Sequence, residues 1–279
     1  MKHREGTFTG YGNQQLYYQS WHPESAAKAV LVFVHGLGEH SSRYMNLVRP
    51  LIPRGYALYG FDHRGHGRSS SYHCAHVNDW SEYRFDVKSF VAFVSNQERS
   101  LPLFLMGHSM GGLITANYVI YHPEGLQGVV LSAPPLGDVG VSPLLRAFGR
   151  LAALMKPDFA VGNGLDVNGI SRDPEAVRLY REDPLIHDRV SMRWSVEFFK
   201  AIDWTKNHTA EFKPPLLTIH GEGDTLVPMS GSRAFFEKVD HRDKTYISYP
   251  EGYHESLNDL HHQQAADDIV NWLDNHLEQ

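Results

Sequence analysis

The chain has 279 residues, a length that suits one large domain or one domain carrying an insertion. Its 26 lysines and arginines are outnumbered by 32 aspartates and glutamates, and the formal net charge of −6 argues against a protein that binds nucleic acid through a cationic face. The one cysteine, Cys74, excludes an intrachain disulfide and a cysteine-based zinc site.

The amino-terminal residues and the hydropathy of the chain indicate where in the cell the protein is expected. The first residues, MKHREG, do not lead into an apolar run of the kind found in signal peptides. No stretch approaches the roughly 18 apolar residues needed to span a bilayer. We therefore expect a cytoplasmic protein.

Strands and helices are predicted to alternate along most of the chain. Residues 6–9 and 15–21 flank a Gly-Tyr-Gly-Asn turn and predict an antiparallel hairpin. Further strands are predicted at residues 29–34, 56–61, 101–106, 127–132, 216–220 and 245–249, and helices at residues 43–54, 82–97, 110–121, 231–239 and 263–277. Several of these strands are continuous apolar runs, which is typical of strands buried on both faces. The alternation predicts an α/β fold with a mostly parallel sheet flanked by helices.

The alternation stops between about Pro134 and Pro214, where the periodic segments are helical only. We therefore predict a core formed by residues 1–135 and 214–279, with residues 136–213 inserted as an all-helical cap, or lid. Such an insertion is expected over the carboxyl ends of the strands, where α/β sheets place their ligand sites.

The strongest chemical signal is the sequence GHSMG at residues 107–111. It follows one predicted strand and opens a predicted helix, which is the context that a G-x-S-x-G nucleophile turn requires. Ser109 is therefore the predicted nucleophile, and a tight structural turn is the alternative. The amide of Met110, at the start of the helix, is predicted to face a developing oxyanion.

A serine hydroxyl needs a base, and the base needs an orienting carboxylate. Asp224 follows the predicted strand 216–220 in the sequence GEGDT, and His254 follows the predicted strand 245–249 in the sequence PEGYH. Because both lie in loops at the carboxyl ends of strands, we predict a catalytic triad of Ser109, Asp224 and His254.

Neighbouring residues leave alternatives open. Glu222 is the nearest rival acid, and Asp224 could instead form a turn with Gly223. His261 and His262 are rival bases, although they lie at the start of a predicted helix, where solvated side chains are expected.

A second oxyanion donor is expected in the glycine-rich loop after the strand at residues 29–34. This loop reads HGLGEH, and the amide of Leu37 is the best candidate, the alternative being a simple turn. The loop lacks both the G-x-G-x-x-G spacing and the lysine of nucleotide-binding loops. The two histidines of the later DHRGHGRS segment are more typical of a turn than of a metal site. No cofactor and no metal are implied.

Three motifs together make the chain similar to a known family. GHSMGG at residues 107–112, HGLGEHSSRY at 35–44 and FDHRGHGRS at 61–69 resemble the monoacylglycerol lipase and lysophospholipase branch of the α/β-hydrolases. The resemblance spans the whole chain and implies that the Leu37 and Met110 amides form the oxyanion hole. It also implies that Glu39 and Arg43 lie near the polar head of the substrate. The family often has a smaller residue or Phe in place of Leu37, a departure that affects pocket shape more than chemistry.

We therefore expect a serine carboxylic-ester hydrolase that acts on monoacylglycerols or similar single-chain esters through an acyl-enzyme. A helical stripe in the cap, formed by Leu144, Leu145, Phe148, Leu151 and Met155, is either cap core or the wall of an acyl tunnel. We take the tunnel as our hypothesis, with Leu145 and Phe148 as substrate contacts. Transient contact of the cap with a membrane surface is also expected.

Two other classes of function remain open. A proline-type aminopeptidase or a C–C bond hydrolase would keep the triad. The aminopeptidase would also need cap carboxylates to bind a substrate amine, and the candidates are Asp173, Glu175, Glu182 and Asp183. A non-catalytic binding protein of the same fold is the more distant alternative, but it would be indicated by a missing triad residue, and none is missing.

Overall fold

A mostly parallel sheet organises the chain in the computed structural model, which describes residues 1–70 and 72–277, without the side chains of Pro143 and Leu145. The strands within these residues are β1 (Lys2–Thr9), β2 (Gln15–His22), β3 (Ala29–Val34), β4 (Tyr56–Phe61), β5 (Leu103–His108), β6 (Gly128–Ser132), β7 (Ala160–Gly162), β8 (Arg189–Ser191), β9 (Leu216–Gly221) and β10 (Lys244–Tyr249). The helices are α1 (Met45–Leu51), α2 (Ser81–Gln97), α3 (Met110–Tyr121), α4 (Pro143–Met155), α5 (Pro174–Glu182), α6 (Met192–Asn207), α7 (Met229–Lys238) and α8 (His262–Asn275).

In this part of the chain, eight strands form one sheet in the order β1-β2-β4-β3-β5-β6-β9-β10. β1 and β2 form the predicted antiparallel hairpin, β2 is antiparallel to β4, and the other neighbours are parallel. All residues of β3, β4, β5 and β9 are buried, which explains why their sequences are continuous apolar runs instead of alternating patterns.

The predicted strands β3 and β4 match the structure residue for residue, and the others differ by one or a few residues at their ends. The predicted helix at residues 43–54 is wrong in extent. The chain first forms a 3₁₀ turn, Ser41–Tyr44, and α1 then ends at Leu51. Pro53 has no amide hydrogen to continue the helix, which accounts for the early end.

The segment between β6 and β9 contributes no strand to the large sheet within the described residues. It contains α4, α5 and α6, of which α4 and α6 have apolar residues at helical spacing in the sequence, but the expectation that it is exclusively helical is wrong. β7 and β8 pair antiparallel there, with Val161 opposite Val190. Strands of three residues are too short to leave a recognisable alternation in the sequence.

Two apolar layers lie on the two faces of the large sheet. One contains side chains of α2 and α3 such as Phe90 and Leu113, and the other contains side chains of α1 and α8 such as Leu47 and Trp272. The carboxyl ends of β5, β9 and β10 are left at one edge, and the loops that follow them carry Ser109, Asp224 and His254. Along residues 1–70 and 72–277, we find no helix of the length and apolarity required to cross a membrane.

Candidate active site

Ser109 lies on a sharp turn between β5 and α3, with φ 52° and ψ −124°. This backbone conformation is strained for a residue other than glycine. A Cβ atom on Gly107 would lie 2.3 Å from the carbonyl oxygen of Gly111, and one on Gly111 would lie 2.2 Å from the carbonyl oxygen of Val34. Only glycine fits at both positions, so the two glycines allow the turn that presents the Ser109 side chain.

The structure brings Ser109, His254 and Asp224 into one hydrogen-bonded line. Ser109 Oγ lies 2.8 Å from His254 Nε2, and His254 Nδ1 lies 2.7 Å from Asp224 Oδ2. Because a carboxylate only accepts, Nδ1 carries the ring proton and Nε2 is free to accept from the serine hydroxyl. The other oxygen of Asp224, Oδ1, accepts from the amides of Leu226 and Val227, each at 2.9 Å.

Burial and charge set the protonation of this pair. Burial alone would raise the pKa of Asp224, but the positive charge available on His254 and the hydrogen bonds from His220 and His254 hold it well below its usual range. Burial lowers the pKa of His254, whereas the charge and hydrogen bond of Asp224 raise it, and the net result is a pKa above the ordinary histidine value. The arrangement is able to deprotonate a serine and to stabilise the imidazolium that results.

The rival residues lie elsewhere. Glu222 accepts a hydrogen bond from the Ser248 hydroxyl at 2.7 Å. His261 Nδ1 lies 3.0 Å from a guanidinium nitrogen of Arg172, and His262 Nδ1 lies 2.9 Å from the carbonyl oxygen of Asp259. The described structure brings none of the three rivals into hydrogen-bond contact with Ser109 or His254.

Leu37, Ser109, Met110 and His254 line a single cavity of about 650 Å³. The loop of Leu37 passes close to the serine, since a Cβ atom on Gly36 would lie 3.2 Å from Ser109 Cβ. Met110 is the first residue of α3, and the first amides of a helix have no intrahelical acceptor. Both predicted oxyanion residues are therefore at the cavity that Ser109 faces.

The expectation that Glu39 and Arg43 lie near the polar head of the substrate stays a prediction. Neither residue is part of the wall of this cavity, and their side chains are 4% and 10% exposed beside the loop of Leu37. Glu39 Oε1 accepts from the Gly36 amide at 2.6 Å and from the Tyr44 hydroxyl at 2.8 Å. Arg43 donates to Glu39 at 2.8 Å and makes two further bonds, at 2.7 and 2.6 Å, to Glu255. The pair thus supports the loop from below.

Charge keeps this buried cluster ionised. Burial would raise the pKa of Glu39, but the Arg43 guanidinium and the neighbouring histidines His108 and His35 lower it to about 2. Sequence reasoning missed Glu255, whose only signal is that it directly follows His254. Because it bonds to Arg43, Glu255 connects the loop of His254 to the loop of Leu37.

The segment between β6 and β9 also holds both loops. The amide of His187 donates to the Gly38 carbonyl at 3.0 Å, and His40 Nε2 lies 2.9 Å from Asp183 Oδ2. The amide of Glu255 donates to the Ile170 carbonyl at 2.8 Å. The two loops beside Ser109 are therefore fixed partly by residues outside the large sheet.

The wall of the cavity is largely apolar. Its apolar side chains include Val139, Val141, Val161, Val190, Met192, Trp194, Phe198, Phe199, Leu226 and Val227. Phe148 also lines the cavity, and its contact with substrate stays a prediction, whereas the predicted contact of Leu145 lies outside the described side chains.

The prediction that the whole stripe of α4 lines a tunnel is wrong. Leu144, Leu151 and Met155 are 82%, 58% and 78% exposed. The cavity side of α4 is formed instead by Phe148, Gly149 and the two residues Arg146 and Arg150. The prediction failed because it assumed that the apolar face of an amphipathic helix must face inward.

Two buried histidines near the triad were also missed. His108 lies beside His254, with ring centroids 4.9 Å apart, and burial and the charge of His254 lower the pKa of His108 to about 4. His220 contacts Asp224, and its signal is its position four residues before that aspartate, at the end of a strand.

No grouping of three or more His, Cys, Asp or Glu side chains in residues 1–70 and 72–277 has an arrangement that could hold a metal ion.

A serine on a strained strand-to-helix turn, joined to a histidine and a buried aspartate at one edge of a mostly parallel sheet, defines a serine hydrolase of the α/β-hydrolase type. The family model described as serine aminopeptidase, S33 matches residues 25–261, and the chain belongs to this family of hydrolases.

Individual relatives agree with this assignment. The chain is 34% identical to a monoacylglycerol lipase of Mycolicibacterium smegmatis, over 98% of both chains. Its structure is similar to that of the Paleococcus ferrophilus monoacylglycerol lipase, with a TM-score of 0.85 and 33% identity over 94% of this chain and 99% of that one. It is also similar to a soluble variant of the Saccharomyces cerevisiae monoglyceride lipase in complex with a substrate analogue, with a TM-score of 0.88 and 25% identity over 97% and 94%. The predictions of an α/β-hydrolase fold and of a serine ester hydrolase are confirmed.

Proposed function

We propose that this protein hydrolyses monoacylglycerols to a fatty acid and glycerol. The observation that carries the proposal is the cavity of about 650 Å³, which has Ser109 and His254 in its wall and an otherwise largely apolar lining. Such a cavity suits an acyl chain, because each methylene that is buried against an apolar wall contributes roughly 0.8 kcal/mol to the free energy of binding. The names of the relatives, which are monoacylglycerol and monoglyceride lipases, support the same substrate.

In the proposed mechanism, His254 Nε2 takes the hydroxyl proton while Ser109 Oγ bonds to the ester carbonyl carbon. The amides of Leu37 and Met110 stabilise the oxyanion. The bond to the glycerol oxygen then breaks, and His254 returns its proton to the leaving alcohol. A water molecule next loses a proton to His254 and bonds to the acyl carbonyl carbon. The bond from that carbon to Ser109 Oγ then breaks, His254 returns its proton to Oγ, and the fatty acid is released. Asp224 stabilises the imidazolium in both steps.

We propose further that residues 136–213 act as the cap of a core formed by residues 1–135 and 214–279, and that α4 contacts lipid surfaces. The support is the exposed apolar face of α4 and the segment after it, which comprises Leu144, Phe148, Leu151, Leu154, Met155 and Phe159. A contiguous exposed apolar patch of this kind marks interaction with a membrane or another protein. Lys156, which is exposed and directly follows Met155, suits anionic headgroups. A cap that touches the surface would bring the cavity close to its lipid substrate.

An aminopeptidase with the same triad is the competing function, and the description of the family gives it some weight. It would need a carboxylate at the cavity to bind the substrate amine. The cap carboxylates considered for that role are engaged elsewhere: Asp173 caps α5, Glu175 and Glu182 pair with Arg178, and Asp183 lies against His40. Among the residues that the structure describes, Asp166 is the acidic residue in the cavity wall. An aminopeptidase would therefore have to use Asp166 to bind the substrate amine.

A substrate panel separates the two functions. We expect hydrolysis of monoacylglycerols of medium and long chain, with weaker activity on lysophospholipids and short p-nitrophenyl esters. Ser109→Ala serves as the control for background hydrolysis. Faster turnover of prolyl arylamides than of any monoacylglycerol would show that the protein is an aminopeptidase.

A further inference from the structure

His220 lies in β9 with its side chain fully buried, four residues before Asp224. Its Nε2 is 3.1 Å from Asp224 Oδ2 and 3.0 Å from the carbonyl oxygen of Val227. Both of these partners only accept hydrogen bonds. Nε2 therefore carries the ring proton of a neutral His220, and His220 donates to the carboxylate of the proposed triad.

The other ring nitrogen is held from the opposite side. His220 Nδ1 is 2.7 Å from Ser232 Oγ, which is in turn 2.8 Å from the Tyr246 hydroxyl. With Nε2 protonated, Nδ1 can only accept, so the Ser232 hydroxyl donates to it and the Tyr246 hydroxyl donates to Ser232. The carbonyl of Met229, 3.0 Å from Ser232 Oγ, is the competing acceptor. This chain of hydrogen bonds fixes the orientation of the His220 ring.

The two oxygens of Asp224 have separate partners. Oδ1 accepts hydrogen bonds from the amides of Leu226 and Val227, and these contacts fix the plane of the carboxylate without His220. Oδ2 accepts hydrogen bonds from both His254, at 2.7 Å, and His220, at 3.1 Å. The two histidines therefore share one oxygen, and each hydrogen bond draws on the same negative charge.

We propose that His220 is a positioning residue of the hydrolase that acts through Asp224, sharing its Oδ2 and so limiting how strongly the carboxylate holds the proton on His254. The inference rests on the proposed roles of Asp224 and His254. A general base works best when its pKa lies near the working pH. Glu39, Glu255 and His108 also face His254, and substitution of His220 leaves all three in place. Without the donor from His220, the full charge of Oδ2 would face His254, and His254 would keep its proton to higher pH.

The test is the pH dependence of kcat/KM for a soluble p-nitrophenyl ester, measured for His220→Leu and His220→Gln. Leucine fills space without a donor, whereas glutamine places its amide nitrogen near the position of Nε2. At acid pH, kcat/KM falls as His254 becomes protonated, and we call this part of the profile the acid limb. In the Leu variant we expect the acid limb to lie about half a pH unit to one pH unit higher, because a hydrogen bond that shares the charge of Asp224 is lost. The Gln variant should keep the limb of the unmodified protein.

Three outcomes would overturn the inference. They are an unchanged limb in a folded Leu variant, a downward shift, or an equal shift in the Leu and Gln variants. If the Leu variant does not fold, His220→Asn takes its place, because its shorter amide does not reach Oδ2. An upward shift for Asn and none for Gln supports the inference, and identical limbs for the two overturn it.

A matched control is His276→Leu. His276 is also buried, but it bonds to the Trp272 carbonyl at the end of α8, in a different part of the fold. We expect a lower unfolding temperature and an unchanged acid limb, which separates loss of stability from the effect on His254.

The failure of this inference is distinguishable from failure of the proposed function. If Asp224→Asn abolishes activity while the limb does not respond to His220, only the role of His220 is wrong. If Asp224→Asn keeps full activity, the triad itself is wrong.

Discussion

The carboxylate of Glu39 lies 2.6 Å from the amide nitrogen of Gly36, directly before Leu37 in the cavity wall. Glu39 is in turn paired with Arg43, which binds Glu255 beside His254. The loop that carries one proposed oxyanion donor and the loop that carries the proposed base are therefore joined through three buried charges. Such a cluster holds geometry well, but it is costly if one charge is removed.

Glu39→Gln is the first prediction. It replaces a carboxylate that accepts hydrogen bonds from Gly36, Arg43 and Tyr44 with a neutral amide, while Arg43 keeps its ion pair with Glu255. We expect a loss of about 1–3 kcal/mol in the free energy of unfolding, the cost of weakened charge-assisted hydrogen bonds at a buried site. We also expect a fall in kcat of about tenfold or more, because the loop of Leu37 is less well fixed. Denaturant unfolding and kinetics on a p-nitrophenyl ester measure the two effects.

The exposed Glu175, paired with Arg178, offers the control: Glu175→Gln should change neither quantity measurably. Wild-type stability in the Glu39 variant would show that the cluster does not support the loop.

The second prediction concerns the nucleophile. Ser109→Ala should fold normally and lower kcat by a factor on the order of 10⁶, the scale found for a triad serine. A fluorophosphonate probe should label Ser109 and leave Ser195, which also lines the cavity, unlabelled. Peptide mapping by mass spectrometry after labelling identifies the modified residue, and label on Ser195 alone would refute the assignment.

The motif around Ser109 could be predicted because its determinants are local. Within about 20 residues, the sequence shows the two glycines that the turn needs, at 107 and 111, together with the preceding apolar strand and the following helix. The contact of His220 with Asp224 also had a local signal, a separation of four residues, but the contact of Glu255 with Arg43 had none. Arg43 and Glu255 are 212 positions apart, and nothing local indicates that they meet. The sequence also could not predict whether the apolar face of α4 points to the cavity or to solvent, since periodicity identifies an apolar face but not what that face contacts.

The third prediction separates the acid from its neighbour. Asp224→Asn should lower kcat by about 10⁴, because an amide favours the wrong tautomer of His254. Glu222→Gln should have little effect, since Glu222 bonds to Ser248 at the surface. Kinetics of the two variants side by side test the assignment, and a reversed order of effects would identify Glu222 as the acid.

The fourth prediction is the pH dependence of the unmodified protein. His254 must be neutral to accept the proton of Ser109, and its pKa is raised by Asp224. As the pH falls through that pKa, His254 becomes protonated and kcat/KM decreases. The acid limb should therefore lie above the ordinary histidine value of about 6.5. His108, with a pKa of about 4, would produce a limb far lower, so a rate that stays flat to pH 4.5 would exclude His254 as the base.

The last prediction compares two apolar residues of α4. Phe148 is 67% exposed but also lines the cavity, whereas Leu154 is 80% exposed and is not part of the cavity wall. Phe148→Ser removes apolar surface from the cavity wall, and a long acyl chain buries more of that wall than a short one, so kcat/KM should fall more for long monoacylglycerols than for short ones.

Leu154→Ser leaves the cavity intact and removes apolar surface from the outer face. It should reduce sedimentation with phospholipid vesicles and leave hydrolysis of a soluble short-chain ester unchanged. The two variants therefore separate the acyl site from the lipid-facing surface on one helix. If Leu154→Ser alters chain-length selectivity as Phe148→Ser does, the outer face belongs to the acyl site. If neither variant alters selectivity or vesicle binding, α4 has neither role.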